Sequence, residues 1–134
     1  MSVLIDEFKR EHSEIIEELK EVEELGIFKK EGHAKLMFLT VDLVKHLWHE
    51  DEWLYPVLRK ASEHNKKLNE ILRLFINGLG NIYEEMLNFI VKYSYSVLDS
   101  NFQREYERIF DALRIRIEYE EKILYDEYNM LNQK

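Results

Sequence analysis

Val44-Lys45-His46-Leu47-Trp48-His49-Glu50-Asp51-Glu52-Trp53-Leu54-Tyr55-Pro56-Val57-Leu58 sets a histidine and a carboxylate one helical turn apart where apolar residues belong. Steps of three and four in both directions pass through Leu36, Leu39, Leu43, His46, Glu50, Trp53 and Val57, a heptad seam broken only by the His-Glu pair. His46 and Glu50 are therefore expected to face the core. A buried carboxylate is costly unless it is paired, protonated or bound to a cation, so other segments must supply its partners.

The chain of 134 residues has the length of one ordinary domain, and residues 1–134 are read as one. Charged residues make up 34%, with four Gly and one Pro, a composition of compact helices rather than of a disordered segment. Nineteen basic residues against 27 acidic ones give a net charge of -8 and no basic face, which argues against nucleic acid and anionic membrane as partners. No apolar run is long enough for a membrane span, and Met1-Ser2-Val3-Leu4-Ile5-Asp6-Glu7 reaches acid before a signal-like core could form. A cytoplasmic protein is the expectation. With no Cys, disulfides, thiolate catalysis and iron-sulfur clusters are excluded, and any metal must be held by His, Asp, Glu or Tyr.

Taken in order, the apolar periodicity predicts four long helices. The first runs from about Val3 to Leu25, with Ser2 as N-cap, Gly26 as stop and the seam Ile5, Phe8, His12, Ile15, Leu19, Val22. The second covers roughly His33 to Ser62 and is expected to kink or end early at Pro56. The third, about Lys66 to Leu98, has the seam Leu68, Leu72, Phe75, Leu79, Ile82, Met86, Phe89, Tyr93, Val97, with Gly78 and Gly80 weakening its middle. The fourth, about Phe102 to Leu131, follows a turn at Asp99-Ser100-Asn101 and carries the seam Phe102, Tyr106, Ile109, Leu113, Arg116, Glu120, Ile123. Four helices joined by short turns fold most simply as an all-α, antiparallel up-down-up-down four-helix bundle.

Depth in such a bundle follows from counting residues away from each turn. His12 lies 14 residues before Gly26 and His46 lies 14 after Gly32, so the two are level. Around Ser100, Leu79 lies 21 before and Glu120 lies 20 after. His12, His46, Glu50, Arg116 and Glu120 thus fall in one polar slab, which the third helix meets with Phe75 and Leu79.

At this point the chain resembles the hemerythrin-like family. The resemblance is carried by Glu11-His12-Ser13-Glu14-Ile15, by His46-x-x-x-Glu50-x-x-x-Leu54-Tyr55-Pro56 and by Glu120-Glu121-x-x-Leu124-Tyr125, over matching length and helix order. It implies a non-haem iron centre inside the bundle that binds or senses oxygen or iron. By position, His12 and His46 correspond to ligands of one iron, and Glu50 and Glu120 to bridging carboxylates. The second iron would need histidines where this chain has Arg116 and Leu79 or Phe75. An arginine there is always charged and offers a planar fork of donors to two carboxylates. Two arrangements remain open. One is a single metal on His12, His46, Glu50 and Glu120, for which Fe(II), Mn(II) and Zn(II) all suit the donors. Its roles would be oxygen or iron sensing, storage or redox protection, with oxygen or peroxide as partners. The other is a metal-free Arg116-carboxylate network retained as a protein-interaction module.

The remaining polar residues receive plainer readings. His49, His33 and His64 are expected at the surface or at helix ends, and Asp51, Glu52, Glu118 and Glu121 as exposed helix charge. Tyr55 and Tyr119 are the tyrosines close enough in sequence to reach the slab. The run Met86 to Leu98 is apolar on more than one face, which points to a homodimer. No nucleophile-base pair or phosphate loop is present to support a hydrolase or transferase.

Overall fold

The computed structural model of the chain describes residues 2–79, 81–94 and 98–131. Gly80 and Val97, and the side chain of Leu79, lie outside the described residues. Among the described residues, seven α-helices and one π-helical turn assemble into four rods, and no strand occurs. The first rod is α1 (Val3–Leu25), and the second is α2 (Lys30–Trp53) with α3 (Tyr55–Ser62). The third is α4 (Lys66–Leu79) with α5 (Ile82–Tyr93). The fourth is α6 (Ser100–Tyr119), a π segment (Glu120–Leu124) and α7 (Tyr125–Leu131). α1 packs on α2, α2 on α5 and α5 on α6, while α3 packs on α4 and α7, which is the expected antiparallel four-helix bundle.

Each turn has a local cause. Gly26 takes φ +95, and a Cβ on Gly32 would stand 1.9 Å from the Gly26 carbonyl oxygen, so the first turn closes tightly because both residues lack side chains. The Asp99 side chain accepts from the amides of Asn101 and Phe102 at 3.0 and 3.2 Å, capping α6 as its position suggests. Asn65 does the same for α4 by accepting from Leu68 N at 3.1 Å. Ser2 holds the N-cap position of α1, but its side chain makes no capping bond.

Two irregularities rotate the seams. Pro56 has no amide hydrogen and sits in the first turn of α3, where none is needed, so the second rod breaks at Leu54 and restarts. Leu54, Tyr55 and Leu58 then take the core, and Trp53 and Val57, expected on the seam, are 62% and 41% exposed. In the fourth rod the π segment inserts extra backbone after Tyr119. Leu124 and Tyr125 become buried, and Ile123, expected on the seam, is only half-buried.

The apolar core is accordingly in two halves. Ile15 to Val22, Leu36 to Leu47, Ile82 to Tyr93 and Phe102 to Ile117 contribute one cluster. Ile5, Phe8, Leu54, Tyr55, Leu58, Leu68, Leu72, Phe75, Leu124 and Tyr125 form the other. Between them lie the buried polar residues His12, His46, Glu50, Arg116 and Glu120.

Candidate metal centre

α1 contributes His12, α2 contributes His46 and Glu50 one turn apart, and the fourth rod contributes Arg116 and Glu120 one turn apart. Every one of these side chains is 3% exposed or less. One ligand atom from each of His12, His46, Glu50 and Glu120 lies within 4.8 Å of the other three. His46 Nε2 is 3.1 Å from Glu50 Oε1, and His12 Nε2 is 3.4 Å from Glu120 Oε1.

The outer nitrogens of both imidazoles are tied to acids. His12 Nδ1 lies 2.7 Å from Glu121 Oε2, and His46 Nδ1 lies 2.7 Å from Glu11 Oε1. An ionised carboxylate only accepts, so each Nδ1 carries the hydrogen, and in the neutral ring the Nε2 lone pair is turned toward the centre. Carboxylate-imidazole pairs of this kind fix ring orientation and raise ligand basicity in metal sites.

The carboxylates are held by further donors. Tyr55 donates to Glu120 Oε2 at 2.5 Å and Tyr125 donates to Glu50 Oε2 at 2.7 Å. Arg116 Nε donates to Glu120 Oε2 at 3.3 Å, and its Nη2 approaches Glu50 Oε1 at 3.6 Å. The guanidinium carbon lies 5.2 Å from the centre of the Phe75 ring and 5.5 Å from that of Tyr55, a cation over two aromatic faces. Tyr125 Oη also lies 3.1 Å from His12 Nε2.

Three buried atoms of this layer lack any hydrogen-bond partner among the described residues: His46 Nε2, Glu50 Oε1 and Glu120 Oε1. His46 Nε2 and Glu50 Oε1 stand 3.1 Å apart as an ion pair when the ring is protonated, without regular hydrogen-bond alignment. Such orphaned polar atoms are uncommon in a protein interior, and all three belong to the cluster of His12, His46, Glu50 and Glu120.

Charge follows from the same contacts. Burial pulls the His46 proton affinity down, but Glu50, Glu11 and Glu120 outweigh it and hold the pKa up at about 9. Burial and the neighbouring Glu120 charge push Glu50 up. Glu120 is also buried, yet Arg116 above all, with hydrogen bonds from its neighbours, holds it below the usual carboxylate range. Burial and the adjacent carboxylates keep the Tyr55 and Tyr125 phenols protonated.

The donor set fits one cation. Two nitrogen and two oxygen donors converge, and the unpartnered atoms belong to this set. Arg116 lies against both carboxylates, and the Phe75 ring lies against its guanidinium.

The five slab residues come together as their spacing predicts, and three residues that spacing does not predict, Glu11, Glu121 and Tyr125, join them. Glu11 and Glu121 lie one residue from His12 and Glu120, off the buried stripe, and Glu121 reads from the sequence as exposed charge. Their position beside a core histidine and a core carboxylate is the signal that finds them. Tyr125 reaches the centre only through the π segment. Tyr55 reaches it as expected, whereas Tyr119 packs at a tilt against Phe75, ring centres 5.7 Å apart. His49 and His64 are exposed, Glu118 pairs with Lys122 at the surface, and His33 bonds the Tyr93 carbonyl oxygen at 2.8 Å.

A four-helix bundle that gathers two imidazoles and two carboxylates at mid-depth defines a class of cation-binding helical proteins. Residues 3–128 match the family model described as hemerythrin HHE cation binding domain, and the chain belongs to that family. No curated protein and no solved structure matches the chain at a significant level. The family assignment makes this a metal-binding domain.

Proposed function

We propose that this domain, residues 1–134, binds a single iron ion on His12, His46, Glu50 and Glu120, with Arg116 standing in for a second cation. The observation that carries this reading is the convergence of His46 Nε2, Glu50 Oε1 and Glu120 Oε1 with no hydrogen-bond partner among the described residues. Arg116 donates its aligned bond to Glu120 Oε2 and stands 3.6 Å from Glu50 Oε1, beyond hydrogen-bond length, so neither orphaned oxygen receives a hydrogen bond from it. Iron bound there supplies one-electron redox chemistry and Lewis acidity. Glu11 and Glu121 orient the imidazoles, Tyr55 and Tyr125 hold the carboxylates, and the two apolar clusters keep bulk water away.

One ion favours iron or oxygen sensing, iron storage or redox protection over reversible oxygen carriage, which the resemblance ties to an iron pair. The Cys-free, acidic composition supports a cytoplasmic setting. Val91, 81% exposed on α5, and Leu87 one turn before it support a homodimer through that face.

Elemental analysis of protein expressed with iron and purified without chelator tests the reading. Up to one iron per chain is expected, lost in His12→Ala. A chain that takes up no iron under these conditions overturns it in favour of the arginine-carboxylate network and its interaction role.

A further inference from the structure

We infer that Arg116 sets the valence of the ion held by this centre, favouring a divalent over a trivalent cation. The inference rests on the single-ion reading above and concerns what the arginine does to that ion.

Arg116 is 2% exposed, and its charge is therefore poorly screened by solvent. Its Nη2 lies 3.6 Å from Glu50 Oε1, one of the oxygens that receive no hydrogen bond. An ion bound to that oxygen at an ordinary metal-oxygen length of ~2.1 Å would lie within ~6 Å of the guanidinium. At an effective dielectric constant of ~20, raising such an ion from two charges to three beside a fixed positive charge costs ~100-fold in relative affinity.

The hydrogen bonds act in the same direction. Glu120 Oε2 accepts from both Arg116 and Tyr55, and Glu50 Oε2 accepts from Tyr125. Each draws electron density from a carboxylate that would otherwise stabilise the higher charge. Glu11 and Glu121 act the other way through the imidazoles, but their side chains are 24% and 37% exposed and their fields are screened by water. Arg116 is the fully buried cation of the group, so its field is screened less by water than those of Glu11 and Glu121.

The test is the midpoint potential of the iron-loaded full-length chain, by spectroelectrochemical titration, for the wild type, Arg116→Lys, Arg116→Gln and Arg116→Met. The neutral variants are refolded with ferrous ion present, because a bound cation itself pairs the two carboxylates. Methionine preserves the arginine stem if the glutamine variant does not fold. Loss of the charge is expected to raise the ferric-to-ferrous affinity ratio at least tenfold, a fall of at least ~59 mV for one electron. Arg116→Lys should stay within that interval of the wild type. A parallel competition of Ga(III) against Zn(II), which needs no redox change, should move in the same sense. Iron-loaded neutral variants with the wild-type potential overturn this inference and leave the single-ion reading intact. A wild-type chain that binds no iron overturns both.

Discussion

Glu11 Oε1 lies 2.7 Å from His46 Nδ1, so the residue that precedes one histidine of the centre orients the other. Glu121 repeats the pattern, following Glu120 in the chain and holding His12 at 2.7 Å. The first and fourth rods thus each supply a candidate ligand and also the acid for another rod's imidazole, and ring orientation depends on how the rods dock. Glu11→Ala is expected to weaken divalent-metal binding by about 10- to 100-fold, the usual cost of removing such a partner. Glu11→Gln should weaken it less, because the amide carbonyl still accepts the Nδ1 hydrogen. Competition with a chelating dye measures both. Glu14→Ala, which breaks only an exposed pair with Arg10, should leave affinity unchanged.

On the single-ion reading proposed above, Arg116 and either Phe75 or Leu79 take the places of a second iron's histidines; the Arg116 guanidinium carbon lies 5.2 Å from the Phe75 ring centre. Arg116→His removes the competing charge and adds a donor one turn before Glu120. Iron uptake by this variant is expected to exceed that of the wild type, and unchanged uptake would argue against the assignment of the position. Adding Phe75→His should carry the stoichiometry toward two irons per chain by elemental analysis. The same double variant without added metal should melt lower than the wild type, since it loses the cation that pairs Glu120.

The raised pKa of His46 has two consequences with opposite dependence on pH. Without metal, the protonated ring contributes stability in full below its unfolded value of 6.5, and that contribution is lost as pH rises through about 9. At about 1.4 kcal/mol for each tenfold change in proton affinity, the interval is worth about 3 kcal/mol. Denaturant titrations of the metal-free chain should show that loss between pH 6.5 and about 9, and His46→Gln should flatten it. Metal binding runs the other way, because the ion displaces the His46 proton. Apparent affinity should rise with pH up to about 9, with close to one proton released per ion at about pH 7, measured by calorimetry in buffers of different ionisation enthalpy.

The polar layer is legible because its residues keep strict helical spacing and because antiparallel rods with short turns convert sequence separation from a turn into depth. His12 and His46, each 14 residues from a turn glycine, are the clearest instance, and their ring centres lie 4.7 Å apart. What spacing misses lies beyond an irregularity or off the stripe. Trp53 and Val57 fit the heptad until Leu54 breaks the rod, after which the buried face is one that a continuous count does not give. Glu11 and Glu121 look like solvated charge because periodicity assigns them to the flank, and only a long side chain bending inward brings them to an imidazole. The proline foretells the first irregularity, whereas no residue in Glu120–Leu124 announces a π turn.

That π turn is what makes Tyr125 part of the centre. It puts Glu120 and Tyr125 on the same buried face, with the Tyr125 ring stacked on His12 at 17° and its hydroxyl 2.7 Å from Glu50 Oε2. Tyr125→Phe keeps the stacking and removes the hydrogen bond to that oxygen. A buried carboxylate oxygen losing its donor costs about 1–3 kcal/mol, so the metal-free variant is expected to be less stable by about that amount in chemical denaturation. A bound divalent ion compensates part of the loss by drawing charge from the same carboxylate. The gap between wild type and Tyr125→Phe should therefore narrow when both are measured with saturating metal. A gap that is equal with and without metal would show that the ion does not draw on the Glu50 carboxylate, and one that widens would show that the hydroxyl supports the ion directly.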